Sequence, residues 1–452
     1  MQVIAQANET ILRMLKNFKK TAPQNRMLHF CVAEPVEEGV LVFNLLTREL
    51  VLLTQQEYAN RLENDVLKDR WFVVPEGTNE KAYMDFVRAF LKRQQKPDGI
   101  LTHYTIFTTT DCNARCFYCF ELGGSRIPMT PETAEKVVQY IKTHCGGKEV
   151  SLAWFGGEPL YNSQVIDIIC DGLHREGIPY KSSMVSNGYL FDDAMVKKAV
   201  EFWKLQKIQI TLDGTEQIYN KIKAFIYRDT NPYRIVLANI RKLLDAAVKV
   251  NIRLNMDLSN AEDLVKLVEE LAQQFGGREN VCVYAHHLFK SDVAMANTYS
   301  EEEWIAREHA MRKLEQAIQQ GELVNRRGIS GQVKMNQCMA DNDKCITILP
   351  DGSIGRCEHH TDDEFVGHID REGFDQDGVN RWKERAPEIP ECAACFYYPD
   401  CFMLRKCSTQ NVCFLQHRQS KQRHVQRQMR NEYEKWKKHE TSEESEDEFF
   451  WK

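Results

Sequence analysis

The 452-residue sequence has no apolar run long enough to cross a membrane, since a spanning helix needs about 20 such residues. The first thirty residues also lack the compact apolar stretch of a secretory signal peptide. Lys and Arg number 59 against 65 Asp and Glu, a formal net charge of −6. The chain therefore lacks the basic excess typical of nucleic-acid-binding proteins. We expect a cytoplasmic protein with neither a membrane nor a nucleic acid among its partners.

Cysteine is the residue that stands out. Fifteen Cys are too few for a disulfide scaffold of this length, and most of them are clustered. Thiolate is a preferred ligand of iron and zinc, so clustered thiols predict metal in two places. Four scattered residues, Cys31, Cys145, Cys170 and Cys282, are expected to be small buried apolar side chains. The clustered thiols are Cys112, Cys116 and Cys119, followed by Cys338, Cys345, Cys357, Cys392, Cys395, Cys401, Cys407 and Cys413.

The pattern of apolar residues divides the chain into four parts. In residues 1–99 the spacing of the apolar residues predicts a small α+β module. Its strands are expected over 28–35 and 39–54, and its helices over 55–62 and 79–94. Residues 100–325 predict six parallel βα units. Residues 326–417 are rich in Cys and in turns. Residues 418–452 predict a charged, solvated helix that ends in an acidic tail without fixed structure.

Six βα units predict a partial (β/α)6 barrel of the TIM type, in which the chemistry lies at the carboxyl ends of the strands. The strands are expected over 104–109, 150–155, 180–185, 207–212, 251–256 and 281–286. Two of the helices have clear boundaries. The helix 131–144 begins after Thr130 with a proline at its first position, and the helix 261–275 ends at a pair of glycines.

The first cysteine cluster, Cys112-x3-Cys116-x2-Cys119, directly follows the first predicted strand. Three thiolates are one fewer than a closed zinc site needs. A four-iron cluster would keep one iron open to a ligand. With Tyr118 between the last two thiols, the spacing resembles the signature of the radical S-adenosylmethionine (radical SAM) enzymes. A zinc knuckle that lacks one ligand is the alternative.

Motifs after the next strands are similar to those of the same family. By this resemblance the backbone of Gly156-Gly157-Glu158-Pro159, after the second strand, would bind the amino group of SAM. The segment Ser186-Asn187, after the third strand, would contact the ribose and the carboxylate, and Tyr118 would lie along the adenine. The paired glycines would also let the backbone approach a ligand closely. Ordinary loop capping is the alternative for Ser186, Asn187, Asp213 and Asn255 taken singly. The residues assigned to SAM are Tyr118, Gly156, Gly157, Glu158, Pro159, Ser186, Asn187, Asp213 and Asn255.

The second cysteine constellation resembles the SPASM extension of this superfamily, which carries two auxiliary [4Fe–4S] clusters. By resemblance, Cys338, Cys345, Cys357 and Cys407 would hold the nearer cluster, and Cys392, Cys395, Cys401 and Cys413 the farther one. The sequence departs from the family pattern at Arg405, where a Cys is expected, so that Cys407 takes its place. Two four-Cys zinc sites would use the same eight residues.

Glu358 follows Cys357 and is the candidate catalytic base, because a carboxylate at the rim of the nearer cluster could take a proton from the substrate. A surface glutamate is the alternative. Two His pairs, His286–His287 and His359–His360, are further candidates. Adjacent residues of a strand point to opposite faces, so at most one member of each pair lines a cavity.

The resemblance implies a radical reaction that needs three [4Fe–4S] clusters, SAM and a reductant of the flavodoxin or ferredoxin type. SAM would be cleaved to a 5′-deoxyadenosyl radical that abstracts hydrogen from an unactivated carbon. Relatives with this architecture install thioether or carbon–carbon crosslinks in ribosomally synthesised precursor peptides, which is the function we expect. Oxidation of a protein Cys or Ser to formylglycine is the alternative, and an electron-transfer protein is a third. The N-terminal module either resembles a leader-peptide recognition element, in which a peptide strand pairs with a sheet edge, or is a structural cap.

Overall fold

The computed structural model describes residues 1–18, 23–94, 98–119, 121, 124–288, 299–324, 327–336, 338–359, 364–407, 413 and 415–447. His360 therefore lies outside the described residues. Within these ranges, no helix is both long and apolar enough to cross a membrane.

The N-terminal module is built on a four-stranded antiparallel sheet of order β1-β5-β4-β3, and β2 pairs with β6 beside it. The strand predicted over 28–35 and the helix predicted over 79–94 are confirmed. The strand predicted over 39–54 is divided by a turn into two strands, and the helix predicted over 55–62 ends at Ala59. The sequence did not predict the other strands and helices of this module. The elements are β1 (Gln2–Ala5), α1 (Glu9–Leu15), β2 (Asn25–Met27), β3 (Cys31–Val36), β4 (Gly39–Asn44), β5 (Glu49–Leu53), α2 (Gln55–Ala59), α3 (Asp65–Asp69), β6 (Val73–Pro75) and α4 (Glu80–Gln94).

The middle of the chain is a partial barrel whose six parallel strands lie in sequence order from β7 to β12. All six predicted strands are confirmed. The elements are β7 (His103–Thr109), α5 (Pro131–His144), β8 (Val150–Gly156), α6 (Ser163–Arg175), β9 (Tyr180–Ser186), α7 (Asp193–Glu201), β10 (Leu205–Thr211), α8 (Glu216–Lys223), α9 (Pro232–Asp245), β11 (Lys249–Met256), α10 (Ala261–Phe275), β12 (Val281–His287) and α11 (Glu301–Gln320).

The alternation of side chains within the barrel strands gives the sheet two different faces. In β10, Ile208 and Ile210 are fully buried and join the main core with helix residues such as Val236. Gln209 and Thr211, on the opposite face, are partly exposed. Successive side chains of a strand point to opposite sides, so the face of β10 that does not carry the helices is polar.

The Cys-rich segment adds three strands to the barrel sheet and one helix elsewhere, and the C-terminal part of the chain forms a second helix. They are β13 (Cys345–Ile348), β14 (Ser353–Gly355), β15 (Gly367–His368), α12 (Gln376–Lys383) and α13 (Leu415–Asp447). β13 pairs in parallel with β7, with Cys345 opposite His103, and β14 and β15 follow as antiparallel strands. The nine-stranded sheet therefore crosses the boundary predicted at residues 325/326.

The charged helix α13 is not solvated on all sides, contrary to expectation. Its residues Val425, Met429 and Tyr433 are buried in the core of the N-terminal module. Their spacing of four residues places them on one face of the helix. On the same side, Arg430 forms an ion pair with the buried Glu34 of β3. The helix also continues to Asp447, into the tail that was expected to lack structure.

Candidate functional site

The loop after β7 carries the three thiols of the first cysteine cluster within electrostatic range of one another. Cys112 and Cys119 each interact electrostatically with Cys116. Burial raises the pKa of Cys112 to about 12, and the Glu158 carboxylate and Cys116 add to the shift. A group of partly buried thiols without a neutralising cation is costly to ionise. A bound metal ion supplies that charge and deprotonates coordinating thiols, so this donor set fits an iron–sulfur cluster.

Gly156 and Gly157 are required because the protein backbone packs tightly against itself. A Cβ on Gly156 would lie 2.1 Å from the carbonyl oxygen of Thr109, and one on Gly157 would lie 2.3 Å from that of Asp111. Gly157 N also donates to Thr109 O at 3.0 Å. These contacts give a second reason for the two glycines, the close approach of the segment 109–119 that ends β7 and carries the thiols, here called the cysteine loop, while their close approach to a ligand stays a prediction. The two loops form one unit.

Glu158 is fully buried and holds together the loops after β8 and β9. Its carboxylate accepts hydrogen bonds from Leu160 N (3.2 Å), Asn187 N (2.8 Å) and Ser186 Oγ (2.9 Å). The next residue, Pro159, begins a short 3-10 turn, and its carbonyl oxygen accepts from Thr108 Oγ1 at 3.0 Å. Glu158 and Ser186 are thus bonded to each other, and their contact with SAM stays a prediction.

Because of Glu158, the free energy of unfolding of the iron-free protein should decrease as the pH rises. Burial raises the pKa of this carboxyl to about 7, and the hydrogen bonds from Asn187, Leu160 and Ser186 oppose the shift only partly. Since the folded-state pKa lies above the unfolded value, the stabilisation is complete below about pH 4.5 and is lost as the pH rises through about 7.

The measurement is the free energy of unfolding in denaturant between pH 5 and 8, for the wild type and for Glu158→Gln. The variant should show a smaller decrease with pH. Burial also raises the pKa of Glu121 to about 7, so a residual slope is expected in both proteins. Equal slopes in the two proteins would contradict the assignment.

Tyr118 and Asp213 form a buried network with a residue that the sequence reasoning missed, Lys223. Tyr118 Oη donates to Asp213 Oδ2 at 2.5 Å, and Lys223 Nζ lies 2.8 Å from Tyr118 Oη and 2.9 Å from Asp213 Oδ2. The signal available in the sequence was the position of Lys223 four residues after Tyr219, on the apolar side of α8. Tyr219 is itself fully buried.

The other carboxylate oxygen of Asp213, Oδ1, is buried and has no hydrogen-bond partner among the described residues. A buried acceptor without a donor costs about 1–3 kcal/mol. The hydroxyl groups of a ribose are donors of the kind this oxygen lacks. The orphaned oxygen lies in the same network as Tyr118, beside the cysteine loop, and therefore fits a bound SAM.

Asn187 and Asn255 also lie beside the cysteine loop and Asp213, and both are hydrogen-bonded there. Asn187 Nδ2 donates to Asn113 Oδ1 of the cysteine loop at 2.6 Å. Asn255 Oδ1 accepts from Arg253 Nε at 2.9 Å. Asn260 Nδ2 donates to the carbonyl oxygens of both Asp213 and Asn255 at 3.0 Å. The ends of β7, β9, β10 and β11 are thus joined around one site.

The eight C-terminal thiols fall into two groups. Electrostatic interactions link Cys357 with Cys338 and Cys407, and Cys345 with Cys338. A second set links Cys413 and Cys395 with Cys401 and Cys392. The two groups have the same members as the two predicted ligand sets, although the structure does not test the ligands themselves.

The arrangement of these side chains leaves both zinc and iron as candidate metals. In the ranges that the structure describes, no three Cys, His, Asp or Glu side chains converge closely enough to hold one metal ion. A zinc site needs all four ligands around a single ion, with Zn–S distances of about 2.3 Å. A four-iron cluster takes one thiolate per iron and so holds its ligands farther apart. The eight thiols supply enough ligands for either two such clusters or two zinc sites.

The candidate base Glu358 is half-buried beside the first of these groups. Its Oε2 atom lies 4.0 Å from Cys357 Sγ. Burial raises the pKa of both Cys357 and Cys338, and the charge of Glu358 adds to the shift. His286 is on the polar face of β12. Burial and Arg253 lower the pKa of its imidazole to about 4, so His286 is neutral at pH 7. Neither position tests a catalytic role.

Residues 106–284 match the model of the Radical SAM superfamily. The chain is 25% identical over 246 residues to the radical SAM cyclopropyl synthase TigE of Paramaledivibacter caminithermalis, covering 46% of this chain and 51% of TigE. It is 26% identical over 174 residues to a probable GTP 3′,8-cyclase of Methanocaldococcus jannaschii, covering 37% of this chain and 54% of the cyclase. The chain thus spans about half the length of these curated relatives.

A structure of native anSMEcpe with bound AdoMet is similar in fold. The TM-score is 0.55 at 15% identity, and the match covers 74% of this chain and 98% of that one. At this identity the likeness concerns the fold alone.

Proposed function

The chain contains a radical SAM enzyme domain over residues 106–284, and from this premise we propose that it is a peptide maturase that crosslinks a ribosomally synthesised precursor peptide. A [4Fe–4S] cluster with SAM and one electron supplies a 5′-deoxyadenosyl radical, which is the chemistry that the protein itself cannot provide. We assign the cluster to Cys112, Cys116 and Cys119. Abstraction of hydrogen from the peptide would then allow a thioether or carbon–carbon bond to form.

The main support for the proposal is that two groups that each lack a partner lie at the same edge of the sheet. Three partly buried thiols, one fewer than a closed cluster needs, lie on the loop after β7. Asp213 Oδ1, buried without a partner, follows β10. Tyr118 belongs to the cysteine loop and is hydrogen-bonded to Asp213. A ligand that binds an open iron and offers hydroxyl donors would complete both groups.

The two C-terminal thiol groups support a net oxidation of the substrate. Formation of one crosslink removes two hydrogen atoms from the peptide: the radical takes one atom, and one proton and one electron leave afterwards. We propose that the two thiol groups bind auxiliary [4Fe–4S] clusters that accept this electron. In this proposal Glu358, which lies beside Cys357, would take the proton. A flavodoxin or ferredoxin would supply the electron that starts the reaction.

For the N-terminal module, the contacts favour the structural cap over the leader-recognition element. Arg48 forms an ion pair with Asp400 at 3.0 Å, and Cys392 and Cys395 pack against the same core as α13. On β3, an outer edge of the sheet, Gln426 Nε2 donates to Ala33 O at 3.3 Å, and Pro35 has no amide hydrogen to offer. A peptide strand would therefore find β3 partly blocked.

The test starts from anaerobically purified, iron-reconstituted protein that is reduced with dithionite and given SAM. Formation of 5′-deoxyadenosine and methionine, measured by liquid chromatography, is expected. A Cys-containing peptide encoded by a neighbouring short reading frame should then lose two hydrogens for each crosslink, as seen by mass spectrometry.

Three other outcomes would contradict this assignment. A product that reacts with hydrazides would contain the aldehyde of formylglycine and indicate sulfatase-type maturation. Iron-loaded protein that is reduced without consuming SAM would be an electron carrier. Colourless protein that holds zinc would have neither activity.

A further inference from the structure

Lys223 is a buried cation at the last position of α8, next to the cysteine loop. Only 3% of the residue is exposed. Isolated charges are rarely buried because desolvation is costly, and lysine without a partner loses its proton instead. Here the carboxylate of Asp213 and the phenol of Tyr118 hold the pKa of Lys223 above its ordinary value in spite of burial. The side chain is therefore a fixed positive charge.

The hydrogen bonds of Lys223 reach the aromatic residue of the cysteine loop. Its ammonium lies 2.8 Å from Tyr118 Oη and 2.9 Å from Asp213 Oδ2. Tyr118 stands between Cys116 and Cys119 in the sequence, so a side chain that fixes the phenol also fixes the position of the loop between two thiols. Burial raises the pKa of Cys119, and the positive charge of Lys223 opposes that shift, so the ammonium lies within electrostatic range of this thiol.

The main chain around Lys223 is bonded to the same loop. Arg115 N donates to the carbonyl oxygen of Lys223 at 2.8 Å, and Ile226 N donates to that of Asn113 at 3.0 Å. Between them the chain turns at Ala224, whose φ of 43° is left-handed. Helix α8 thus ends on the cysteine loop through two backbone bonds, and the ammonium of Lys223 adds a third connection.

We propose that Lys223 is a positioning residue for the first iron–sulfur cluster, which orients Tyr118 and Asp213 toward SAM and makes the cluster easier to reduce. This inference rests on the proposed function, since it assumes a cluster on Cys112, Cys116 and Cys119. Net charge and hydrogen bonding near a cluster help set its reduction potential. A cation within a few ångströms of the ligand loop favours the more negative, reduced cluster.

The decisive experiment compares Lys223→Met with Lys223→Arg in reconstituted holoenzyme. An EPR-monitored redox titration with dithionite gives the midpoint potential of the first cluster. Loss of the charge should make reduction at least tenfold less favourable, which is a shift of about 59 mV to more negative potential for one electron. The Lys223→Arg variant keeps the charge, so its midpoint potential should be close to that of the wild type. Equilibrium dialysis should show SAM bound at least tenfold more weakly by the Met variant.

Lys221→Met is the matched control, because Lys221 is on the same helix two residues earlier and is exposed. It removes one cation from the protein and should change neither the potential nor SAM binding. If Lys223→Met loses its iron, Tyr118→Phe decides the positioning role, because it keeps the ring and the Lys223–Asp213 pair. We expect that variant to bind SAM at least tenfold more weakly at an unchanged potential, and wild-type affinity would overturn the proposal.

The two proposals fail in different ways. Wild-type protein without a SAM-binding cluster would refute both. Wild-type protein that cleaves SAM, together with a Lys223→Met variant of unchanged potential and unchanged SAM affinity, would refute only the role of Lys223.

Discussion

Simultaneous replacement of Cys112, Cys116 and Cys119 by alanine should lower the iron content of anaerobically purified protein from about twelve to about eight atoms per chain, as the loss of one of three cubanes requires. The same variant should form no 5′-deoxyadenosine, a decrease to the background of the assay. The thiols lie together on one loop, distant in sequence from the other eight, so the remaining clusters should persist. Iron, acid-labile sulfide and SAM cleavage are measured side by side.

The control is a double variant of cysteines outside the three groups, Cys31→Ala with Cys282→Ala, which should keep all the iron and the cleavage activity. A wild-type content of about four irons together with zinc would show that the C-terminal thiols bind a structural metal. The electron-acceptor argument for peptide crosslinking would then be withdrawn. Unchanged iron in the triple variant would refute the assignment of the first cluster.

Arg356→Met should remove the nearer auxiliary cluster without touching the first. Arg356 is 3% exposed and immediately precedes Cys357. Its guanidinium donates to three carbonyl oxygens, those of Ala340 (3.1 Å), Cys345 (2.9 Å) and Asn342 (2.8 Å). These bonds shape the segment that carries Cys338 and Cys345. Each hydrogen bond to a charged group is worth about 1.5–3 kcal/mol, and methionine leaves three buried acceptors without donors.

We expect the Arg356→Met protein to retain about eight of twelve irons, to cleave SAM at a rate close to that of the wild type, and to give little crosslinked peptide. Arg371→Met, at an exposed arginine of the same C-terminal segment, is the matched control and should behave as wild type. The idea is wrong if Arg356→Met keeps its full iron content and crosslinks normally. Loss of SAM cleavage in this variant would mean that the first and nearer clusters are not independent.

The barrel could be predicted from the sequence because local signals and tertiary structure agree there. The helices Pro131–His144 and Ala261–Phe275 have the predicted boundaries. In the first of them, Thr130 accepts a hydrogen bond from Thr133 N, as a helix cap should. The motifs that follow the strands lie at one edge for the same reason, since parallel strands carry their carboxyl ends to one side.

What the sequence did not reveal depends on contacts between distant segments. Val425, Met429 and Tyr433 follow a helical spacing of four, but the many charged residues around them hid the apolar stripe. Lys223 was passed over because a single lysine in a helix is ordinarily solvent-exposed. The reason for Gly156 and Gly157 also needed coordinates, because only these show the carbonyl oxygens of Thr109 and Asp111 facing them.

The pairing of β13 with β7 has a consequence for how the chain folds during synthesis. The two strands lie roughly 240 residues apart in sequence, so their contact is among those that form slowly because a long loop must close first. Until β13 leaves the ribosome, the outer edge of β7 is an unpaired strand, and such edges promote aggregation. The thiols of the first cluster are on the loop that follows this strand. We therefore expect a chain truncated after residue 325 to be aggregation-prone, even though it contains every residue that matches the radical SAM domain.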